Sequence, residues 1–237
     1  MTAIRVGVLG AAASDQIVQA DGSILRRRGG SPLYAARALR AAGAEPVAIE
    51  TGALVSYLDH TSDGTRQQIL SLPEPLDADR TAELLPRLRG CEWVVLGGQT
   101  ADDFPPESIA LLAGAGHKIC LDAQGLARGS RIGPVQLGPI DPGWVEGVTA
   151  LKLNDAEARA SGPLTAPELL VTMAERGCTV TASGIEHHLP GSGERFADPT
   201  GAGDSFGALY CLARSGGSRP DEAAAWAQER VQQLYAG

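Results

Sequence analysis

The sequence predicts an α/β fold in which helices cover both faces of a mainly parallel central sheet. Short, almost uninterrupted apolar runs alternate with helical patterns, which is typical of parallel strands buried on both faces. Polar or glycine-rich segments follow several of these runs, where ligands gather in such sheets. These segments are Gly97–Gln99, Asp122–Gly125, Asn154 and Thr181–Gly184. No linker interrupts the alternation, so we expect one domain over residues 1–237.

The composition fits a soluble globular protein, with 43% hydrophobic and 20% charged residues. A formal net charge of −8 argues against nucleic acid or an anionic membrane as partner. No apolar stretch is long enough to span a bilayer, and the N-terminus lacks a signal-peptide pattern, so we expect a cytoplasmic protein. The four cysteines are widely separated, which indicates reduced core residues.

The N-terminal third begins with a strand, Ile4–Leu9, and then a strand pair around the turn signal Asp21-Gly22. A helix follows over Pro32–Ala42, because proline suits its start and Gly43 its end. Arg26-Arg27-Arg28 is the only basic cluster. A solvated loop and a substrate contact both explain this cluster, and the loop is slightly favoured.

The middle and the end of the chain continue the alternation. Strands are predicted at Val47–Glu50, Ile69–Leu72, Trp93–Leu96 and Lys118–Leu121. Helices are predicted at 79–89, Ile109–Ala113 and Glu222–Tyr235. Residues 57–68 are polar and rich in turn-forming types, which predicts a loop.

A glycine-rich turn opens into an apolar helix at Asp198-Pro-Thr-Gly-Ala-Gly-Asp-Ser-Phe206. The backbone N–H groups of Gly201, Ala202 and Gly203 would lack helical partners there, so they can bind a phosphate. An anion site gains nothing from a nearby carboxylate, but phosphoryl transfer needs one to accept the proton of the attacking hydroxyl. Asp204 is placed for that role. The alternative is an ordinary turn whose first-turn acid complements the helix dipole.

This nine-residue string closely resembles the C-terminal signature of the ribokinase-like, phosphofructokinase B family of small-molecule kinases. The string GGSPLYAARALRAAGAEP resembles the family's first signature, although Tyr34 stands where many sugar kinases carry Asn. The resemblance covers nearly the whole chain. It implies a ribokinase-like fold with a small β lid near residues 11–28, and phosphorylation of an alcohol with ATP and Mg²⁺. A homodimer formed through the lid is a further expectation.

The resemblance also implies roles for residues of the donor site. Asp204 would be the general base, the amides of Gly201–Gly203 the anion hole, and Thr200 a neighbour of the donor. Asn154 and Glu157 match an N-x-x-E motif that holds Mg²⁺ through water and touches the phosphates. Their spacing is equally that of a helix capping box, and both readings can hold together. Thr181, Ser183 and Gly184 resemble the nucleotide segment, with an ordinary strand-to-turn junction as an equal alternative.

The acceptor would lie under the lid, near Asp15, Gly29 and Gly30, oriented by Arg66, Asp122, Gln124 and Arg128. Residues 15–34 offer only Tyr34 as an aromatic shelf and supply several polar side chains. Carboxylates and amides suit a ring of hydroxyls, so a cyclitol or monosaccharide is predicted over a nucleoside. The alternatives are a nucleoside kinase and a catalytically idle nucleotide- or metabolite-binding protein on the same scaffold.

Overall fold

The computed structural model describes residues 3–18, 22–59 and 66–236 of the chain. Its strands are β1 (Arg5–Val18), β2 (Ile24–Gly29), β3 (Glu45–Asp59), β4 (Arg66–Ser71), β5 (Cys91–Gly97), β6 (Lys118–Asp122), β7 (Gly133–Pro134), β8 (Ala150–Asn154), β9 (Glu168–Thr172), β10 (Gly177–Ala182) and β11 (Ile185–Pro190). Its helices are α1 (Ser31–Ala41), α2 (Ala78–Leu84), α3 (Pro106–Gly114), α4 (Gln124–Arg128), α5 (Asp155–Ser161), α6 (Ala202–Ser215) and α7 (Pro220–Tyr235).

The strands form one sheet in the order β11-β10-β9-β8-β6-β5-β1-β3-β4-β7, with β2 also paired to β1. The central strands β3, β1, β5, β6, β8 and β9 run parallel. Antiparallel pairing is limited to β2, β4, β7, β10 and β11. The prediction of a mainly parallel sheet is confirmed.

Residues of the central strands pack into two separate hydrophobic cores, one on each face of the sheet. Val6 and Val8 of β1 pack in one cluster with α1, α6 and α7. Leu9, by contrast, belongs to a second cluster with α3 on the opposite face. Because both faces are covered, the strands read as continuous apolar runs in the sequence. In the described part of the chain, no helix combines the length and apolarity needed to cross a bilayer.

The lid is larger than the predicted segment over residues 11–28. The first half of β1 pairs with β5, whereas its second half, Ala13–Val18, pairs with β2. The pairing of β1 with β3 continues alongside to Asp59, and β3 in turn pairs with β4. The loop predicted at residues 57–68 is therefore wrong at both ends, because backbone pairing overrides the polar composition there. The loop predicted for Arg26–Arg28 is also wrong, since all three lie in β2.

Candidate active site

The turn before α6 has the conformation that an anion site requires. Gly201 adopts φ +83°, and a side chain there would lie 2.1 Å from Cγ of Tyr34. The first turn of α6 then presents the backbone N–H groups of Gly203 and Asp204. Among the described residues, no group accepts a hydrogen bond from either. These two donors, at the positive end of the helix dipole, can bind a phosphate oxygen.

Asp204 lies half-buried in this first turn and accepts a hydrogen bond from Oγ of Ser31 at the start of α1. Burial, followed by the nearby charge of Asp122, raises its pKa to about 6, although Ser31, Lys152 and Arg128 act in the opposite direction. A carboxylate with this pKa is ionised at neutral pH and is a stronger base than an ordinary aspartate. The helical placement expected for Asp204 is therefore found.

A buried ion pair that the sequence did not predict lies under the turn. Lys152 of β8 donates from Nζ to Oδ2 of Asp122 at 2.6 Å, and both side chains are less than 9% exposed. Neighbouring positions on β6 and β8 bring the two together. Burial acts to lower the pKa of Lys152, but the charges of Asp122 and Glu157 outweigh it and hold the pKa above its usual value.

The ammonium group of Lys152 also lies directly beside the glycine turn. A side chain added to Gly203 would meet its Nζ at 3.0 Å. Between Lys152, Asp122, Asp204 and Ser31 there is a cavity of about 10 Å³, which is close to the volume that one water molecule needs. Gly203 and Asp204 line the same cavity, so the positive charge lies close to the first turn of α6.

Asn154 and Glu157 form the predicted capping box at the start of α5. Oδ1 of Asn154 accepts from the N–H groups of Ala156 and Glu157, both at 2.9 Å, while Oε2 of Glu157 accepts from the N–H of Asn154 at 2.8 Å. The Glu157 side chain is buried, and burial followed by the charge of Asp122 raises its pKa. The structural reading of this motif is thus realised, and the magnesium role stays a prediction.

The predicted acceptor residues Asp15, Gly29 and Gly30 lie together where the lid meets α1. Asp15 is buried in β1 and accepts from Oγ of Ser56 at 2.6 Å. A side chain on Gly29 would lie 2.9 Å from Oδ2 of Asp15. Gly30 has φ +102°, and a side chain there would meet the carbonyl oxygen of Ala11 at 2.4 Å. Only glycines allow β2 to pass this close to β1 and turn into α1.

Gln124 and Arg128 of α4 share one acceptor at the ends of β5 and β6. Both donate to Oε1 of Gln99 at 3.2 Å. Burial lowers the pKa of Arg128, whereas the carboxylates of Glu157, Asp122, Asp204 and Asp15 act to raise it. One arginine therefore lies within electrostatic reach of all four carboxylates that the sequence assigned to the site.

Thr200 and Arg66 complete the predicted set. Oγ1 of Thr200 accepts from Nη2 of Arg27 at 2.8 Å, so the lid strand β2 touches the segment that leads into α6. The sequence analysis did not single out Lys152, and it considered Arg27 only as part of the arginine cluster. Arg66 begins β4, and its side chain lies outside the described residues, as does Asp21 of the predicted lid turn.

The expectation that Thr181–Gly184 lies at the carboxyl edge of the sheet is wrong. β10 runs antiparallel to β9, and Ala182 pairs with Glu168 at the start of that strand. Asn154 pairs instead with Thr172 at the other end. The four residue-to-residue steps from Glu168 to Thr172 separate the two places by about 13 Å at strand spacing. Ser183 and Gly184 form the exposed hairpin turn between β10 and β11, with φ +52° and +76°.

Solved structures with the same architecture were found by comparison. A pyrophosphate-dependent kinase in the ribokinase family, complexed with a pyrophosphate analogue and myo-inositol, has a TM-score of 0.81 at 16% identity, over 98% of this chain and 95% of that chain. The chain has the ribokinase fold. A Burkholderia thailandensis nucleoside kinase in complex with inosine gives 0.69 at 17% identity, over 98% and 91%.

Arabidopsis thaliana ribokinase, complexed with ribose and ATP, gives a TM-score of 0.68 at 16% identity, over 100% of this chain and 94% of that chain. No family model matches the sequence, and no curated protein does. At these identities the likeness establishes the ribokinase fold, which confirms the predicted fold class. The chemistry must be argued from the residues of the site.

Proposed function

We propose that this chain transfers a phosphoryl group from a phosphoanhydride donor to a hydroxyl of a small polyol. One observation supports this most strongly: a carboxylate with a pKa of about 6 shares the first turn of α6 with two N–H groups that have no partner among the described residues. The N–H groups suit an anion, and the carboxylate repels one. Phosphoryl transfer needs both, because an anionic donor must meet a hydroxyl that is losing its proton.

In the proposed reaction, Asp204 accepts the proton of the acceptor hydroxyl as its oxygen attacks the terminal phosphorus. The bond from that phosphorus to the bridging oxygen breaks, and the leaving phosphate keeps the electron pair. The N–H groups of Gly203 and Asp204, together with the Lys152 ammonium, stabilise the charge on the transferred group. Ser31 keeps the Asp204 carboxylate oriented through its hydrogen bond. The lid excludes water, which otherwise competes as the acceptor.

The acceptor we propose is a cyclitol or monosaccharide. Asp15, held by Ser56, and the Gln99–Gln124–Arg128 group offer both acceptors and donors, and Arg128 lies within electrostatic reach of Asp15 and Asp204. Such groups suit several hydroxyls on one ring. Tyr34 is not free to act as a shelf for a nucleobase, because its ring packs against Gly201. This contact supports a polyol over a nucleoside.

ATP is the donor implied by the sequence resemblance, and inorganic pyrophosphate is the second candidate. Both present a terminal phosphoryl group to the glycine turn. Pyrophosphate is favoured by one observation: the segment expected to hold the ribose, Thr181–Gly184, lies at the opposite edge of the sheet. The structural neighbour with a TM-score of 0.81 is a pyrophosphate-dependent kinase, which also favours pyrophosphate.

Magnesium would arrive with the phosphates of the donor. Among the described residues, no group of three or more His, Cys, Asp or Glu side chains could hold a metal ion. Glu157 fits a contact through water, since one of its oxygens is committed to Asn154 and the other is not. The metal would neutralise charge on the donor phosphates.

Glu157→Gln tests this contact, because glutamine can keep the capping hydrogen bond while losing the charge. We expect a severalfold higher magnesium requirement and a melting temperature close to that of the original protein. An unchanged magnesium titration with a lowered melting temperature would limit Glu157 to its capping role.

A donor and acceptor panel followed by phosphorus NMR tests the proposed function. Magnesium ATP and magnesium pyrophosphate are each combined with myo-inositol, simple hexoses, adenosine and inosine, and with no acceptor as the hydrolysis control. We expect a phosphomonoester with a polyol. No product with any pair, alongside tight donor binding, would favour a catalytically idle binding protein. Product with nucleosides alone would overturn the polyol assignment.

A homodimer through the lid is also proposed, since Ile24 and Leu25 of β2 are 64% and 45% exposed. Light scattering should show a dimer for the original protein and a monomer for Ile24→Asp. A monomeric original protein would contradict the proposed dimer.

A further inference from the structure

Arg27 differs from its two arginine neighbours in the lid strand. Successive residues of β2 point to opposite faces, so Arg27 faces away from Arg26 and Arg28. Arg28 turns to Glu50 of β3 at 2.5 Å and is 69% exposed. Arg27 is 30% exposed and lies opposite Asp15 in the register of β1 and β2. It is thus the one arginine of the three that faces the candidate active site.

The guanidinium of Arg27 joins the lid to the segment that leads into the glycine turn. Nη1 lies 2.5 Å from Oδ2 of Asp198, and Nη2 donates to Oγ1 of Thr200 at 2.8 Å. Asp198 in turn accepts from the N–H of Thr200 at 3.0 Å. The positive charge is therefore held within a few residues of the free N–H groups of Gly203 and Asp204.

These bonds leave the guanidinium partly unused. Nε of Arg27 is buried and has no hydrogen-bond partner among the described residues. A guanidinium has five donors in a fork that matches two oxygens of one phosphate, but here its two Nη atoms go to different residues. The Asp198 side chain is 59% exposed, so water can replace Arg27 as its partner. A phosphate with at least two negative charges is the stronger acceptor for the same group.

We propose that Arg27 is a ligand of the donor phosphate, carried to the glycine turn by the lid and held there by Asp198 until the donor binds. This inference rests on the proposed function, because it assigns a further residue to the same phosphate site. The incoming phosphate takes Nη1 from Asp198 and Nη2 from Thr200, and it offers a partner to Nε. Donor binding and the position of the lid are coupled in this way.

Calorimetry with magnesium pyrophosphate on four proteins tests the inference. We expect Arg27→Ala to weaken pyrophosphate binding by about 10- to 100-fold, the usual loss for a charge-assisted phosphate contact. Asp198→Asn keeps the hydrogen bond from Thr200 but releases Arg27, so it should bind pyrophosphate severalfold more tightly. Arg28→Ala is the matched control and should stay within about twofold of the original protein.

The opposite signs of the two changes separate a phosphate ligand from a structural ion pair. Equal weakening in Arg27→Ala and Asp198→Asn would make the pair a structural contact and overturn the inference. Binding that is unchanged in Arg27→Ala, or unchanged in Asp198→Asn, would also overturn it. Arg27→Lys replaces Arg27→Ala if the alanine protein does not fold, and it should still lose severalfold because a single ammonium cannot form the fork.

Kinetics distinguish failure of this inference from failure of the proposed function. In an active protein, Arg27→Ala should raise the KM for the donor and leave the KM for the polyol nearly unchanged. Phosphomonoester formation with a normal donor KM in Arg27→Ala overturns the role of Arg27 alone. A wild-type protein that binds neither pyrophosphate nor ATP and forms no product contradicts the proposed function, and this inference with it.

Discussion

The carboxyl edge of the parallel strands carries buried charged residues, whereas the amino edge near β10 carries an exposed turn. At the carboxyl edge, Asp122 and Lys152 are buried as an ion pair beside Asp204. At the amino edge near β10, the turn residues Ser183 and Gly184 are exposed and belong to an antiparallel hairpin. The sequence predicts Asp122, Asp204, Ser183 and Gly184 in one site, and Lys152 is not among the predicted residues. Only the first set lies where parallel strands and the start of α6 meet.

The contrast follows from strand direction. Parallel strands bring all their carboxyl ends to one edge, so Asp122 and Asn154 share that edge, and Asp122 lines a cavity with Gly203 and Asp204. An antiparallel strand carries its last residues to the other edge. Burial and neighbouring charges shift the pKa of a group at the carboxyl edge, whereas a group in an exposed turn has neither influence. The carboxyl edge therefore has the properties of a reaction site.

The largest expected effect is on turnover in Asp204→Asn. The asparagine can still accept from Ser31, but it cannot take a proton, so kcat should fall by about 10²–10⁴-fold. Pyrophosphate or ATP affinity should change little, because the N–H groups of the turn remain. Steady-state kinetics with the best acceptor, beside calorimetry of donor binding, measures both. If Asp204→Asn keeps a near-normal kcat, Asp204 is not the general base.

Thr181→Ala is the matched change at the amino edge. It should keep kcat and the donor KM within about twofold and change the free energy of unfolding by less than about 0.5 kcal/mol. A loss of donor binding comparable to that of a phosphate ligand would put a nucleotide contact at that edge after all.

The second largest effect concerns the buried ion pair. Lys152→Met leaves Asp122 charged in the interior without its ion-pair partner and with only the N–H of Gln124, among the described residues, as a hydrogen-bond donor to it, which should lower the free energy of unfolding by about 3–5 kcal/mol. Lys118→Met breaks an ion pair of similar length, with Nζ of Lys118 2.8 Å from Glu92. Both side chains of that pair are about half exposed, so the free energy of unfolding should fall by less than about 1 kcal/mol.

Urea unfolding of both variants gives the comparison. The double change Lys152→Met with Asp122→Leu should recover much of the loss, because no charge is then left uncompensated. Equal costs for Lys152→Met and Lys118→Met would show that the pair under the turn is effectively solvated.

Among the changes at the carboxyl edge, the smallest effect comes from glycine replacement in the turn. Gly201→Ala introduces a left-handed alanine at φ +83° and a contact of 2.1 Å with Tyr34, whereas Gly217→Ala introduces the same strain at φ +90° with no atom within 4 Å. Both should lose about 1–2 kcal/mol from backbone strain, and Gly201→Ala roughly 1–3 kcal/mol more from crowding. Thermal unfolding of the two proteins tests the difference. Similar losses would mean that Tyr34 moves away freely.

Much of the fold could be predicted because its signals are local. The apolar run of β5 and the glycine that follows α1 identify those elements without any partner. The extent of the lid could not be predicted, since β3 and β4 are stabilised by pairing across the chain. The direction of β10 did have a signal. Only Met173–Arg176 separates β9 from β10, which is too short for a parallel crossover.

The candidate site divides in the same way. The string around Asp204 is contiguous, so the start of α6 could be predicted from it, and the role of Asp204 as the base stays a proposal. Lys152 lies inside an apolar strand, and its partner Asp122 is 30 positions away, so only the order of β6 and β8 reveals the pair. Arg27 lies in a run of three arginines that composition cannot separate. The alternation of a strand, once β2 is known, separates them.

The pH dependence of kcat/KM tests the base most directly. Proton transfer to Asp204 requires its ionised form, and its pKa is about 6. The rate should therefore be level above about pH 7 and fall about tenfold per pH unit below 6. The ionisation of the donor itself is followed by phosphorus NMR of the magnesium complex without protein. A fall in kcat/KM near pH 6 that does not coincide with the ionisation of the donor agrees with Asp204 as the base. A rate that stays level down to pH 5 contradicts it.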